Sequence, residues 1–316
     1  MGPNTGLSPE TVKASLDEVY YPEYDYREGR GIITAENSTF FKQKSITKGA
    51  VQTEEFLPVG EWETHAEEEE IRVATVRTDN KKVHTVLNYK KALKVPVEYY
   101  EDDMHEVVDN AVRSMARRAR TTKDKVAVGK YSNGFSIETT SDSVAVFSNS
   151  HTLLSGDTMD NLETGAFNAT NLETQVRSLR RQKAQDGDLG GHDANGLLVA
   201  LNLYEDALEV TRSELKPGTS NNDTNIFMLS SAYPSLEMVG TSAFLHSDYS
   251  AATDVDTAYY VVSRNHSLNR WVRVSMDTNI IDYKFDDKDR YTYKGRYREI
   301  TSWVSAEGVS ASNGTV

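Results

Sequence analysis

The stretch Asp102–Val128, DDMHEVVDNAVRSMARRARTTKDKVAV, decides the reading of the whole chain. Val107, Val108, Ala111, Val112, Met115, Ala116 and Ala119 recur at steps of three and four, with Met104 before them and Val126 and Ala127 after. That spacing lays one apolar stripe along a helix. Asp102 is suited to cap the start and Gly129 to end it. Asp102, Asp103, Glu106 and Asp109 lie early, while Arg113, Arg117, Arg118, Arg120, Lys123 and Lys125 lie late. Both placements suit the helix dipole. About 27 residues at 1.5 Å each span roughly 40 Å. A single-striped helix this long serves as a spine for other elements.

Outward from the spine, the flanks look thin. Residues 1–50 read as an arm. Ser8 and Pro9 open a short helix over Leu7–Val19, and Tyr20, Tyr21, Tyr24 and Tyr26 then gather around Pro22. These tyrosines pack either on the chain's own core or on a neighbouring subunit. Residues 51–100 read as strands that form a long hairpin: a strand over Ile71–Arg77, a turn at Asp79-Asn80, and a return over Val83–Tyr89. Its run Glu67–Glu70 is a solvated strand end, a metal ligand set, or a salt-bridge partner for another subunit. A two-stranded ribbon is marginal alone, so it should lie on something.

Beyond the spine, Asn133-Gly134 marks a tight turn and Ser148–Ala169 a polar loop. Residues 170–281 read as a second, α/β unit. Thr170 or Asn171 caps a helix striped by Leu172, Val176 and Leu179, with Lys183 as an outlying member. Gly196–Ala200 is a buried strand, and Asn202 caps a helix through Tyr204, Ala207, Leu208 and Val210. Strands follow near Ser235–Val239, Ala258–Val262 and Trp271–Ser275. Residues 282–304 alternate through Tyr283, Phe285, Tyr291, Tyr293, Tyr297, Ile300 and Trp303 and return to the first unit. Gly308–Val316 reads as a loose tail. The class is α+β.

Composition narrows the function. The 316 residues exceed what one core usually serves. Apolar residues make up 38% and mean hydropathy is −0.58, so surface is large per residue. A net charge of −13 disfavours sequence-specific DNA binding as the main task. The absence of cysteine excludes disulfides, thiolate metal sites and Cys nucleophiles. No run of about 18 apolar residues exists to span a membrane. Met1–Asn4 does not begin a signal peptide, so synthesis in the cytoplasm is expected.

Chemistry is sparse. The best candidate loop runs from Asp186 to Asp193, where Asp186, Asp188, His192 and Asp193 include two aspartates around a glycine. A turn accounts for it better than a calcium loop, whose further ligands are missing. His65, His84, His105, His151, His192, His246 and His266 show no HxxxH or HxH spacing. No G-x-S-x-G, Walker A or G-x-G-x-x-G occurs. Ser148 and His151 sit in a loop with no elbow around them. The Arg113, Arg117, Arg118, Arg120 face suits phosphate, or acids across an interface. No catalytic, cofactor or metal residues are therefore assigned.

The order of these parts resembles the major capsid protein of tailed bacteriophages, with the Hong Kong ninety-seven fold. Lys94–Asp102 resembles the strand that enters the family's spine helix, and Asp124, Gly129 and Asn133-Gly134 its exit. Phe147–His151, Asn161 and Asn171-Leu172-Glu173 resemble the segment joining two domains. Gly196–Val199 with Tyr204, Ala207 and Ser213 resembles the apical strand and helix. The resemblance implies an arm (1–50), an extended hairpin loop (51–94), a peripheral domain (95–169 and 282–316) and an apical domain (170–281). It further implies an icosahedral shell of hexamers and pentamers around double-stranded DNA held without sequence preference. The hairpin would lie over one neighbour and the arm beneath another. Portal and scaffold proteins are implied partners, and a decoration protein an optional one. Its place is the virion, after synthesis in the host cytoplasm. The Lys–Asn cross-link of some relatives has no matching pair here. Two alternatives stand beside this reading: an encapsulin-like nanocompartment with protein cargo, and a metal-dependent enzyme using Asp186, Asp188, His192 and Asp193.

Overall fold

The structure, a computed structural model, describes residues 8–26, 31–59, 62, 64–65, 67, 69–70, 73, 77–102, 104–216, 224–228, 236, 238–250, 255–285 and 288–314. Its spine is α3, His105–Ser132, shifted relative to expectation at both ends. Asp102 does not cap it. That residue closes the short preceding helix α2, Glu98–Glu101, and its N–H donates to the Glu98 carbonyl at 2.8 Å. Gly129 does not stop it either, because the next turn is held from outside. Tyr131 is fully buried, edge-on to Trp303 and Tyr260 with centroids at 5.3 Å in each case. Its hydroxyl donates to the Phe40 carbonyl at 2.9 Å. This packing outweighs the cost of about 1 kcal/mol that glycine imposes within a helix. The expected stripe is buried at Val108, Val112, Met115, Ala116 and Ala127 and half-buried at Ala111, Ala119 and Val126, whereas Met104 and Val107 are exposed; Val128, outside the expected stripe, is buried too.

The described part of the leading segment packs against the body of its own chain. Helix α1, Pro9–Asp25, opens on the expected Ser8 cap and runs on through the tyrosines and Pro22. Val12, Leu16, Tyr20 and Tyr24 share a core with Val108, Val112, Met115, Tyr291 and Tyr293. The helix borrows the spine's core, which answers the shortage of aliphatics in this segment. Farther on, Ile33, Phe40 and Phe41 are buried beside Tyr131 and Trp303.

Two sheets flank the spine. The strands are β1 Lys42–Ser45, β2 Ala50–Leu57, β3 Arg77–Thr85, β4 Leu87–Pro96, β5 His151–Thr152, β6 Thr158–Met159 and β7 Leu162–Glu163. After them come β8 Ala194–Val199, β9 Met238–Thr241, β10 Tyr259–Ser263, β11 Leu268–Ile281, β12 Arg290–Trp303 and β13 Val309–Ser312. One sheet has the order β1-β11-β12-β4 and the other β7-β13-β10-β8-β9, while β2–β3 and β5–β6 stand as pairs. Strands β5, β6 and β7 lie within the expected polar loop.

The five-stranded sheet is covered on both sides, which explains its unbroken apolar strands. Leu197, Val199, Tyr259 and Val261 meet helices α4, Ala169–Arg180, and α5, Tyr204–Arg212. Leu198, Tyr260 and Val262 face Phe40, Tyr131 and Trp303. Leu172, Val176 and Leu179 form the expected stripe of α4, while Lys183 lies outside it and pairs with Asp157 at 2.8 Å. The cap of α4 is Asn168, not Thr170 or Asn171, and its side chain accepts from Asn171 N–H at 2.8 Å. Asn202 lies in a tight turn ahead of α5 and does not cap it.

The expected loose tail is a buried strand. β13 is inserted between β7 and β10, and all four of its residues are buried. Ser310 and Ser312 are small enough to be enclosed there, so polar composition misleads at this point. Strand β11 carries the chain from the five-stranded sheet's end into the four-stranded sheet, ahead of the boundary expected near 281.

Candidate assembly surface

Among the described residues the ribbon β2–β3 pairs with no strand of the two larger sheets. Its pairing runs from Ala50 opposite Thr85 to Leu57 opposite Arg77. The turn expected at Asp79-Asn80 is not a turn between strands. Both residues lie inside β3, where Asn80 takes φ +52° and the register shifts between Thr53 and Glu55. An asparagine tolerates that left-handed backbone at a bulge. The strand expected over Ile71–Arg77 lies mostly outside the described residues.

The base of the ribbon is fixed to the body by buried polar groups. Glu55 is buried, and its carboxylate accepts from Ser141 Oγ and, at 2.7 Å, from Asn80 Nδ2. Burial pushes its pKa up despite these donors. Ser141 Oγ also meets the Val304 carbonyl at 2.8 Å. Lys82 Nζ reaches the carbonyls of Thr139 and, at 3.1 Å, Trp303. The His84 ring lies over Trp271 with centroids 4.6 Å apart. Burial, aided by the charges of Lys82 and Lys130, pushes His84 down to about 4, so the ring is neutral at pH 7.

Away from the base, the ribbon exposes apolar side chains. Phe56 and Val83 of its strands are exposed, and in the connection between the strands Val59 is exposed, Val73 is 90% exposed and Trp62 is fully so. Exposed apolar side chains along a thin ribbon and its connection suit a contact surface. Covering a side chain of this size is worth roughly 1.5–3 kcal/mol.

The residues singled out for chemistry do not converge. Asp186 Oδ1 accepts from the Asp188 N–H at 3.1 Å, closing a turn through Gly187 at φ +91°. Asp193 turns to Arg180 Nε at 2.8 Å. His192 is buried, which lowers its pKa, and neither ring nitrogen has a hydrogen-bond partner among the described residues. His151 Nδ1 lies 2.7 Å from Asp142 Oδ2, and Nε2 lies 3.1 Å from the Val146 carbonyl. Ser148 Oγ instead lies 3.1 Å from Ser150 Oγ. Two of the four spine arginines meet acceptors of their own chain. Arg117 Nε pairs with Glu23 at 2.8 Å, and Arg120 donates to the Tyr26 carbonyl. Among the described residues no group of three or more His, Asp or Glu side chains could hold a metal ion, and no helix is long and apolar enough to cross a membrane.

The architecture recurs in solved structures. The capsid of the cyanophage P-SCSP1u aligns over 91% of this chain and 90% of its own, with a TM-score of 0.54 at 8% identity. A phage-related protein from Bordetella bronchiseptica RB50 aligns over 95% and 96%, with a TM-score of 0.52 at 10% identity. A virus-like particle from Pyrococcus furiosus aligns over 95% and 98%, with a TM-score of 0.50 at 9% identity. At such identities the likeness concerns the fold. No curated protein sequence matches the chain. The family model described as phage capsid protein matches residues 89–309, from β4 through the spine and both sheets to the start of β13. The chain therefore belongs to the phage capsid protein family and is a structural subunit of a capsid built from many copies.

Proposed function

We propose that copies of this chain close into an icosahedral shell of hexamers and pentamers around double-stranded DNA. The single observation that carries the packing mode is the ribbon, tied down at Glu55, Lys82 and His84 while exposing Phe56 and Val83 and leading into a connection with exposed Val59, Trp62 and Val73. A two-stranded element with that surface gains its stability from a neighbour. The unit built on the four-stranded sheet, with α1 and α3, serves as the peripheral domain. The five-stranded sheet with α4, α5 and β13 serves as the apical domain. The net charge of −13 suits a wall on which DNA packs without adhering. The role is structural, with no catalytic step. Portal and scaffold proteins complete assembly, an outer decoration protein is an optional addition, and synthesis takes place in the host cytoplasm.

Negative-stain imaging and sedimentation of the purified chain test this reading. Closed shells are the expected result. Replacing residues 58–76 by a short turn should leave folded subunits that no longer close. Normal particles from that variant would overturn the role given to the ribbon. The contents of shells recovered from infected cells test the cargo: nucleic acid supports the reading, and a protein cargo would instead make the shell a nanocompartment.

A further inference from the structure

From Arg113 to Lys130 the spine carries seven cations and one carboxylate, Asp124. The chain as a whole has 48 acidic and 35 basic residues, so this stretch runs against its composition. Part of the charge is used within the subunit. Arg117 Nε pairs with Glu23 at 2.8 Å, Lys123 Nζ with Glu36 at 2.7 Å, and Arg120 donates to the Tyr26 carbonyl. Asp124 accepts from the Ala35 N–H at 2.8 Å. Among the described residues Arg113 and Arg118 meet no acceptor, and Lys125 meets the Tyr249 ring, 5.7 Å from its centroid. These last three cations are exposed.

The helix itself gives no reason for them. A cation favours the helix dipole only in the last turn, and Arg113, Arg118 and Lys125 lie before it. Arg113 and Arg117 stand four residues apart, and Arg117 and Arg120 three apart, where like charges destabilise a helix. The stretch therefore costs the isolated subunit some stability, and an anion laid along it removes that cost.

Two hollows follow this face of α3. One, of about 600 Å³, lies against the edge strand β4, and its lining includes Lys90, Lys91, Arg118 and Thr122. The other, of about 580 Å³, has Arg118, Thr122, Lys125, Lys130, Phe244 and Tyr249 in its lining. Arg118 and Thr122 belong to both, so the two join into one trough. Lys90 and Lys91 form no ion pair among the described residues. The one carboxylate in the trough's lining, Glu138, is already paired with Lys130. Twelve residues from Arg113 to Lys125 span about 18 Å. A DNA duplex carries one negative charge per roughly 1.7 Å of axis, so about ten phosphates pass that length. We infer that the trough along α3 holds the phosphate backbone of double-stranded DNA, through Arg113, Arg118 and Lys125 with Lys90 and Lys91 at its flank. Donors strung out in a line suit a continuous polyanion, whereas a small anion needs donors that converge. So few contacts bind weakly and without reading sequence, and the acidic surface elsewhere repels the duplex. The inference rests on the reading that the shell encloses DNA, to which it adds the face of the subunit that is turned inward.

Fluorescence anisotropy of a labelled DNA duplex with the unassembled full-length chain tests it. At about 50 mM salt the unaltered chain should bind, and its affinity should fall with salt at a log–log slope of about −0.9 for each cation engaged. R118A/K125A should lower the affinity about tenfold or more and make that slope shallower by about 2. K44A/K48A removes the same charge from exposed positions in and just after β1 and should leave binding nearly unchanged. No binding by the unaltered chain, undiminished binding by R118A/K125A, or an equal loss in K44A/K48A would overturn the inference.

Melting curves check that each variant is folded. T122E supplies a second, independent change, since it sets a carboxylate in the middle of the trough, and it should weaken binding as R118A/K125A does; binding at the unaltered level would count against the trough. Polyglutamate of matching charge should compete poorly. If it displaces the duplex at equal charge concentration, an acidic protein segment is the better occupant and the inference is overturned. The outcome is separable from that of the shell reading. DNA-filled shells from a chain whose binding ignores Arg118 and Lys125 would sink this inference alone, and trough-dependent binding by a chain that never closes into shells would sink only the other.

Discussion

The Arg270 guanidinium donates two hydrogen bonds to one carboxylate oxygen of Glu299, at 2.6 and 3.1 Å, and both side chains are buried. The same guanidinium reaches the Ala35 carbonyl at 3.2 Å and Gln43 Oε1 at 3.1 Å. One buried cation thus joins β11, β12 and the segment leading into β1. Removing one member of such a pair leaves the other charge buried without its partner. Glu299→Ala should cost about 3–5 kcal/mol. Joint replacement of Arg270 and Glu299 should cost less than the two single losses added together. Urea unfolding of the unassembled subunit measures both.

His84 gives the subunit an acid-sensitive point. Its folded pKa is about 4, against an ordinary 6.5. The unfolded chain therefore takes up a proton first as pH falls. The His84 contribution is complete above pH 6.5 and is lost as the pH falls to about 4. His84→Gln should flatten this part of the stability profile relative to the unaltered chain. Melting temperatures from pH 7.5 to 4 supply the comparison, with amide exchange in β2 and β3 as a local probe.

Ala311 offers the sharpest test of the buried β13. It is fully buried and pairs with Leu162 on one side and Tyr260 on the other. Ala311→Asp would place a charge within the core and should cost several kcal/mol. Ending the chain after Glu307 should leave β7 and β10 without a shared partner. The measurement is soluble yield and near-ultraviolet circular dichroism. A soluble, native-like truncated subunit would contradict the position of this strand.

The readable parts of the chain are those in which one side is wet and the other dry. The spine's stripe, the Leu172–Val176–Leu179 face and the alternating tyrosines of β12 all belong to this class. The missed parts depend on partners distant in sequence. Gly129 lies inside a helix because Phe40, Tyr260 and Trp303 hold Tyr131. α1 continues through Pro22 because Tyr24 has a pocket on the spine. Ser310 and Ser312 look like tail residues until two strands enclose them.

The position of β13 also sets an order of events during synthesis. Leu162 pairs with Ala311, so β7 leaves the ribosome long before its sheet partner among the described residues, β13, exists. Strands β9, β8 and β10 can pair earlier, but the β7 side of their sheet stays open until Val309 emerges. Such distant pairing delays folding. Until β13 emerges, a nascent chain therefore cannot present a closed five-stranded sheet.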